Sequence, residues 1–325
     1  MKNISPIRFR LIVQTAFTLF CIYVGFRFAA FLAWANGLSD TFVPKPGAVE
    51  GFLPISALLG FRRFITTGEW DSIHPAGLSI FIAALLMAFL FRKGFCGYVC
   101  PIGFVSNLLE RAGRRINLSK TPPKWINIPL TGIKYLLLGG FCFAIFSMDA
   151  RSLEAFITGP YNMVSDAKML AFFTSPSALS LTVIGVLALL SLIVRNFWCR
   201  YLCPYGALLG LFAWIGPIHV KRNTTTCIDC GKCTAHCPAG IRVQDKKMVR
   251  SPECIGCAQC IAECPVDGCL SFSVAGRKGI PWLTVGIGTV AVLMLVWTWA
   301  KTTGHWDSEM PSFMLKRIYT MAFGA

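Results

Sequence analysis

The sequence predicts a mainly α, polytopic membrane protein with about five transmembrane helices and a small, cysteine-rich α+β domain. Three observations predict it. Of 325 residues, 55% are hydrophobic and 14% charged, and the mean hydropathy is +0.60, outside the range of an ordinary soluble domain. Five apolar stretches approach the roughly 20 residues that cross a bilayer core. Eight of the 15 cysteines fall in two tight runs late in the chain.

The five stretches are Leu11 to Trp34, His74 to Phe91, Ile126 to Phe146, Ser177 to Phe197 and Ile280 to Ala300. The first follows MKNISPIRFR with no small-residue cleavage site and is too long for a signal-peptide core, so it reads as a retained helix. The second is short and needs tilt or local thinning of the bilayer. Phe52 to Gly60 is too short to span and reads as re-entrant or interfacial.

The formal charge is +16, and its placement decides its meaning. Basic residues gather before the first stretch (Lys2, Arg8, Arg10) and between the second and third (Arg92, Lys93, Arg111, Arg114, Arg115, Lys120, Lys124). They gather again from Arg195 to Lys278. Elsewhere the signs balance: Lys45, Arg62 and Arg63 face Asp40, Glu50, Glu69 and Asp71, while Arg151 and Lys168 face Asp149, Glu154 and Asp166. A positive-inside chain in a bacterial cytoplasmic membrane follows, with the N-terminus and the cysteine runs cytoplasmic and the C-terminus outside. This accounts for the excess charge without nucleic acid, for which no motif is present.

The cysteine runs read CIDCGKCTAHCP, with Cys227, Cys230, Cys233 and Cys237, and CIGCAQCIAECP, with Cys254, Cys257, Cys260 and Cys264. They repeat at 27 residues. In C-x2-C-x2-C-x3-C-P the first three thiolates hold one 4Fe-4S cube and the fourth ligates the other. Cys227, Cys230 and Cys233 therefore join Cys264 on one cluster, and Cys254, Cys257 and Cys260 join Cys237 on the second. Paired zinc sites are the bland alternative, which the doubled pattern disfavours. Gly231, Ala235, Gly256 and Ala258 are small enough for backbone N–H groups to approach the cluster sulfurs. Cys269, Cys21 and Cys142 read as packed thiols.

A second repeat lies at the ends of the second and fourth stretches. Both read R-x3-C-x3-C-P-x-G: Arg92, Cys96, Cys100, Pro101 and Gly103, then Arg195, Cys199, Cys203, Pro204 and Gly206. The offset from Cys96 to Cys199, and from Cys100 to Cys203, is 103 residues, as an internal duplication gives. Proline disfavours helix at the preceding cysteine and suits the first turn of a new helix, so each motif predicts a helix break with a fresh N-terminus beside the thiols. Both motifs fall at the inner boundary. The four cysteines are expected to converge on one site, either a further iron-sulfur cluster or two redox dithiols, although a plain tight turn would use the same residues.

In these motifs the sequence resembles the NapH family of membrane quinol dehydrogenase components and the related polyferredoxin part of NosR. The resemblance runs from the first stretch through Cys264, with all four motifs in the family's order, and departs in the fifth stretch and its tail. It implies electron transfer between the membrane quinone pool and an outer-side redox protein, such as an iron-sulfur protein or a c-type cytochrome. The spans and cysteine runs divide the chain into a four-helix membrane domain over 1–225, a dicluster ferredoxin-like domain over 226–275, and a fifth span with an outer tail over 276–325.

Four histidines, none at mid-span, and the lack of C-x-x-C-H argue against haem. No phosphate-binding fingerprint supports NAD or ATP. The resemblance implies a quinone site, for which Arg27, Trp70 and His74 are candidates. The blander readings are snorkelling for Arg27 and Lys134 and an interfacial belt for Trp70. Two other functions fit the same residues: a redox-sensing or assembly factor, and a subunit of an ion-translocating complex. The latter expects acidic residues through the spans, which contain almost none.

Overall fold

The apolar stretches form helices, as a bilayer requires of backbone that cannot hydrogen-bond to water. The computed structural model describes residues 5–323, so Lys2 lies outside the described residues. In chain order the helices are α1 (Pro6–Ala35), α2 (Pro54–Thr67), α3 (Pro75–Phe91), α4 (Pro101–Arg115), α5 (Lys124–Ser147), α6 (Ala150–Ile157), α7 (Pro160–Met163), α8 (Ser165–Thr174), α9 (Ala178–Ile193) and α10 (Pro204–Ile215). There follow β1 (Ile218–Arg222), α11 (Lys232–Ala235), β2 (Met248–Val249), α12 (Gln259–Ala262), β3 (Leu270–Val274), β4 (Lys278–Ile280), α13 (Trp282–Thr302) and α14 (Ser312–Phe323).

All five expected stretches are helical. By length and composition three qualify as membrane spans: Pro6–Ala35, Trp125–Ser147 and Trp282–Thr302. Ser165–Thr174 and Ala178–Ile193, bent by 75°, make a fourth if they cross as one broken span, while Pro75–Phe91 is a shorter apolar helix of 17 residues. The short piece at Phe52 to Gly60 is the start of α2, entered through Pro54 at its first turn.

Two compact units make up the chain. One comprises Met1–Thr18, Ala84–Leu138 and Ile184–Leu293; the other comprises Leu19–Ala83, Gly139–Val183 and Met294–Ala325. Each of α1, α3, α5, α9 and α13 gives one end to each unit. In the first unit those ends are the N-terminus of α1, the C-terminus of α3, the N-terminus of α5, the C-terminus of α9 and the N-terminus of α13.

The first unit also holds the α+β part, an antiparallel sheet in the order β2-β1-β3-β4. Val220 pairs with Val249 and with Phe272, and Phe272 with Ile280. Val220, Val249 and Phe272 are buried. In the second unit Phe28, Phe31, Val49, Val164 and Tyr319 share one apolar core.

Candidate functional site

Each ferredoxin-like run curls at the same two places. Asp229 and Gly231 flank Cys230 with φ of 51° and 72°, and Gly256 and Ala258 flank Cys257 with φ of 66° and 56°. The 27-residue repeat is thus a repeat of backbone shape. Left-handed residues on either side of the middle cysteine turn the strand back on itself, and a four-residue helix then carries the third, Cys233 on α11 and Cys260 on α12. The small residues expected here, Gly231, Gly256 and Ala258, include three of these four turning points.

The eight thiols divide between two cavities. One is lined by Cys237, Cys254, Cys257 and Cys260, together with Pro238, Gly256 and Val220. The other is lined by Cys227, Cys230, Cys233 and Cys264, with Cys269, Ile228 and Arg222. In each cavity three cysteines of one run meet the proline-followed cysteine of the other. Among the described residues no three His, Cys, Asp or Glu side chains converge on the position of a single metal ion. A zinc centre draws four ligands to about 2.0–2.3 Å of one ion, so this donor set fits a cube, with an iron for each thiolate, better than zinc.

The membrane motifs take the shape their prolines require. After α3 a left-handed Arg92 (φ 61°) leads into a π turn, Phe95–Val99, and Cys100 caps α4 with Pro101 at its first position. After α9 a left-handed Asn196 (φ 49°) leads into the π turn Trp198–Leu202, and Cys203 caps α10 with Pro204 at its first position. Non-glycine residues at positive φ and single π turns both gather at functional positions. The Gly206 N–H donates to the Cys203 thiol at 3.3 Å.

Cys96, Cys100, Cys199 and Cys203 lie within electrostatic reach of one another. Desolvation pushes Cys96 up to about 11 and Cys199 up to about 12, even with the opposing positive charge of Lys93, which acts on Cys203 as well. Tyr205 and Phe95 stack edge to face beside these turns, with ring centroids 5.6 Å apart.

Both turns press on the loops around the first of the two cavities. The Lys93 N–H donates to the Cys254 carbonyl at 3.4 Å, Tyr98 donates its hydroxyl hydrogen to the Gly256 carbonyl at 3.1 Å, and Gly97 packs on the Ile255 carbonyl. From the second motif, Arg195 donates to the Ala235 carbonyl at 2.7 Å and Asn196 to the Pro238 carbonyl at 2.9 Å, while the Arg200 guanidinium fills the space beside Gly240. Arg92 is buried and donates to the carbonyls of Ala213 and Ser251.

Two polar clusters were not foreseen from the sequence. Glu253, the residue before Cys254, accepts from Lys134 at 2.5 Å and from the Tyr135 hydroxyl at 3.0 Å, with Lys93 at 3.5 Å. Burial raises its pKa, but Lys93 and Lys134 outweigh that and hold it at about 2. Lys134 is thus buried in an ion pair, not snorkelling to a surface. The second cluster lies in the second unit, where Lys45 bridges Glu50 at 3.1 Å and Asp166 at 2.7 Å, and the Tyr319 hydroxyl donates to Asp166. Only spacing in three dimensions brings residues 45, 50, 74, 166 and 319 together, and no local pattern announces it.

His74 belongs to this second cluster, with Nδ1 3.3 Å from Glu50 and Nε2 2.8 Å from the Asn162 carbonyl. A carbonyl only accepts, so Nε2 carries hydrogen, and Nδ1 faces the Glu50 carboxylate, which also accepts from Lys45 and the Gly77 N–H. Trp70 donates to the Pro75 carbonyl and packs on Trp299 and His305. Arg27 is exposed on α1 and, among the described residues, contacts neither. Cys269 is buried as a packed thiol, but it also lines the Cys227 cavity.

Known proteins share parts of this chain. A family model described as "4Fe-4S binding domain" matches residues 73–119 and again 176–223, starting 103 residues apart, and one described as "4Fe-4S dicluster domain" matches 219–265. The electron transport protein YccM of Escherichia coli is 35% identical over 310 residues, covering 93% of this chain and 87% of that protein. The ferredoxin-type protein NapH of Escherichia coli is 26% identical over 46% of this chain and 50% of its own. The regulatory protein NosR of Pseudomonas aeruginosa is 30% identical over 48% of this chain but only 21% of its own length. No solved structure matches the chain.

Proposed function

Because this chain belongs to the family of YccM, membrane ferredoxin-type proteins of the NapH and NosR kind, we propose that it relays electrons between the membrane quinone pool and a redox protein on the outer side. The observation that carries the reading is the seating of both C-x3-C-P turns on the loops that bear Cys237 and Cys254 to Cys257. Such contact gives the four membrane-face thiols a short, dry route to the ferredoxin-like segment.

Two 4Fe-4S clusters would be held crosswise, Cys227, Cys230, Cys233 and Cys264 on one and Cys254, Cys257, Cys260 and Cys237 on the other, and when bound they supply one-electron exchange. The protein's own part is to position and insulate. Lys93 and Lys134 set positive charge between the two cysteine layers, and Glu253 fixes both lysines where they offset thiolate charge. Cys96, Cys100, Cys199 and Cys203 supply the ligand count of one further cluster, or two dithiol pairs. The helix N-termini at Cys100 and Cys203 favour negative charge on either.

For a quinone head group, His74 has the best support among the expected residues. With Glu50 it forms a buried pair able to accept a proton. Trp70 stays in the proposal as a neighbouring aromatic wall, and nothing observed ties Arg27 to either. The charge pattern and the alternating helix ends support a cytoplasmic ferredoxin-like segment and an outer C-terminal helix. Adding a quinol analogue to the full chain in lipid vesicles should produce the paramagnetic signal of reduced 4Fe-4S clusters. Clusters that dithionite reduces and the quinol leaves oxidised would refute the quinone reading.

A further inference from the structure

Building on the assignment of the eight cysteines, we infer that the Cys227–Cys233 loop and the neighbouring segment 244–247 form a docking face for a small, acidic, soluble electron-transfer protein. The two cavities are placed unequally. Among the described contacts, the C-x3-C-P turns reach residues 235–240 and 251–256, around Cys237 and Cys254 to Cys257, and none reaches residues 227–233. Each cavity has buried thiols, Cys237 and Cys257 in one and Cys233 in the other, but Cys230 is exposed and the neighbouring Ile228, which lines its cavity, is 65% exposed. The loops of the first cavity are held by the C-x3-C-P turns. The second presents an exposed cysteine and an apolar tip.

The charge around that tip has one dominant sign. Asp229 is paired with Arg222 at 3.3 Å and Asp245 with Arg242 at 3.3 Å, which cancels the acids of the loop. Lys232, Lys246 and Lys247 are exposed, and among the described residues none has an acidic partner within ion-pair distance. Asp267, exposed beyond Cys264, and Glu263, beside it and 3.9 Å from His236, are the charges of opposite sign nearby.

The fold holds these lysines against the loop. Gln244 donates its side-chain amide to the Asp229 carbonyl and its backbone N–H to Thr234 Oγ1, both at 3.1 Å. The Lys247 carbonyl accepts from the N–H of Arg222, which lines the cavity, at 2.9 Å. An exposed hydrophobic residue ringed by unpaired cations suits a brief, steered encounter with a protein whose own redox centre sits in an acidic surface. The exposed lysines beside the exposed Cys230 favour a soluble partner with an acidic surface, and a membrane-bound partner is the alternative that the test below separates.

The test measures binding to the full chain in lipid nanodiscs, with a reduced plant-type [2Fe-2S] ferredoxin of acidic surface as the probe. Affinity should fall by about tenfold or more in a Lys232→Glu, Lys246→Glu, Lys247→Glu variant, with iron content unchanged. It should fall likewise when salt rises from about 0.1 to about 1 M, which shortens the Debye length from about 10 to about 3 Å. A neutral Lys246→Gln, Lys247→Gln variant, a milder change should the triple reversal fail to fold, should lie between. No binding by the unaltered chain at low salt, equal binding by the variants, or equal binding of a basic cytochrome of similar size would overturn the inference. In the same preparation, a quinol analogue that fails to reduce the clusters while ferredoxin still binds would strike the quinone reading and leave the docking face standing.

Discussion

The cysteines of this protein are positioned by two different kinds of backbone. In the ferredoxin-like segment, paired left-handed residues and four-residue helices wrap loops around each cavity, so the cysteines sit on turns that contacts from other segments hold in place. At the other four cysteines, helices end in π turns and restart at a proline, so the thiols sit at helix starts whose first backbone N–H groups face them. The first arrangement is made of turns and the second of helix ends.

This contrast can be broken most severely at the ligands. Cys257→Ser or Cys230→Ser should each remove one cube, taking iron bound by the ferredoxin-like segment from about eight atoms to about four, or fewer because the two ligand sets interlock. Cys257→Ser should also lower the thermal midpoint more than Cys230→Ser, since its loop is the one seated on the membrane motif. Equal midpoints and undiminished iron would defeat the crosswise assignment.

A smaller effect probes the seam between the two regions. A methyl group on Gly97 would run into the Ile255 carbonyl, which is backbone and cannot swing aside. Gly97→Ala should therefore cost about 1–3 kcal/mol, as overpacked sites do. Gly139→Ala, where nothing lies within 4 Å in α5, should be neutral or slightly stabilising. Matching losses at both positions, read by thermal melting, would mean that the seam is not tightly packed.

The smallest effect is on pH dependence. Burial and the charges of Arg92 and Arg250 hold His219 down at about 4, below its ordinary 6.5. Its folded-state value is lowered, so its neutral form contributes stability above about 6.5, and that contribution is lost as pH falls toward about 4. A His219→Gln variant should lose this part of the acid sensitivity. A wild-type midpoint that does not change between those pH values would contradict the assignment.

Much of this was legible in the chain because it is written locally. The helices follow from runs of apolar residues, the sorting of the eight cysteines into two cavities from their fixed spacing, and the helix breaks at Cys100 and Cys203 from the prolines that follow them. What was not legible depends on contacts between distant residues. Lys134 looked like an isolated cation in an apolar helix, but its partner Glu253 is 119 residues away. The buried ring of Lys45, Glu50, His74 and Asp166 draws on segments that carry no shared pattern. The shortness of α3, at 17 residues, was legible as a weak span, and Pro176 marks a break before α9 locally, whereas the 75° size of the bend there was not legible.

The measurement that bears most directly on the relay replaces Cys199 by serine and follows cluster reduction by two reductants in parallel. Dithionite should still reduce both ferredoxin-like clusters, because their eight ligands are untouched, while the quinol analogue should no longer do so. Quinol-driven reduction at the unaltered rate would show that electrons do not pass by way of the four membrane-face cysteines, and the account of this protein as a relay between those two layers would be wrong.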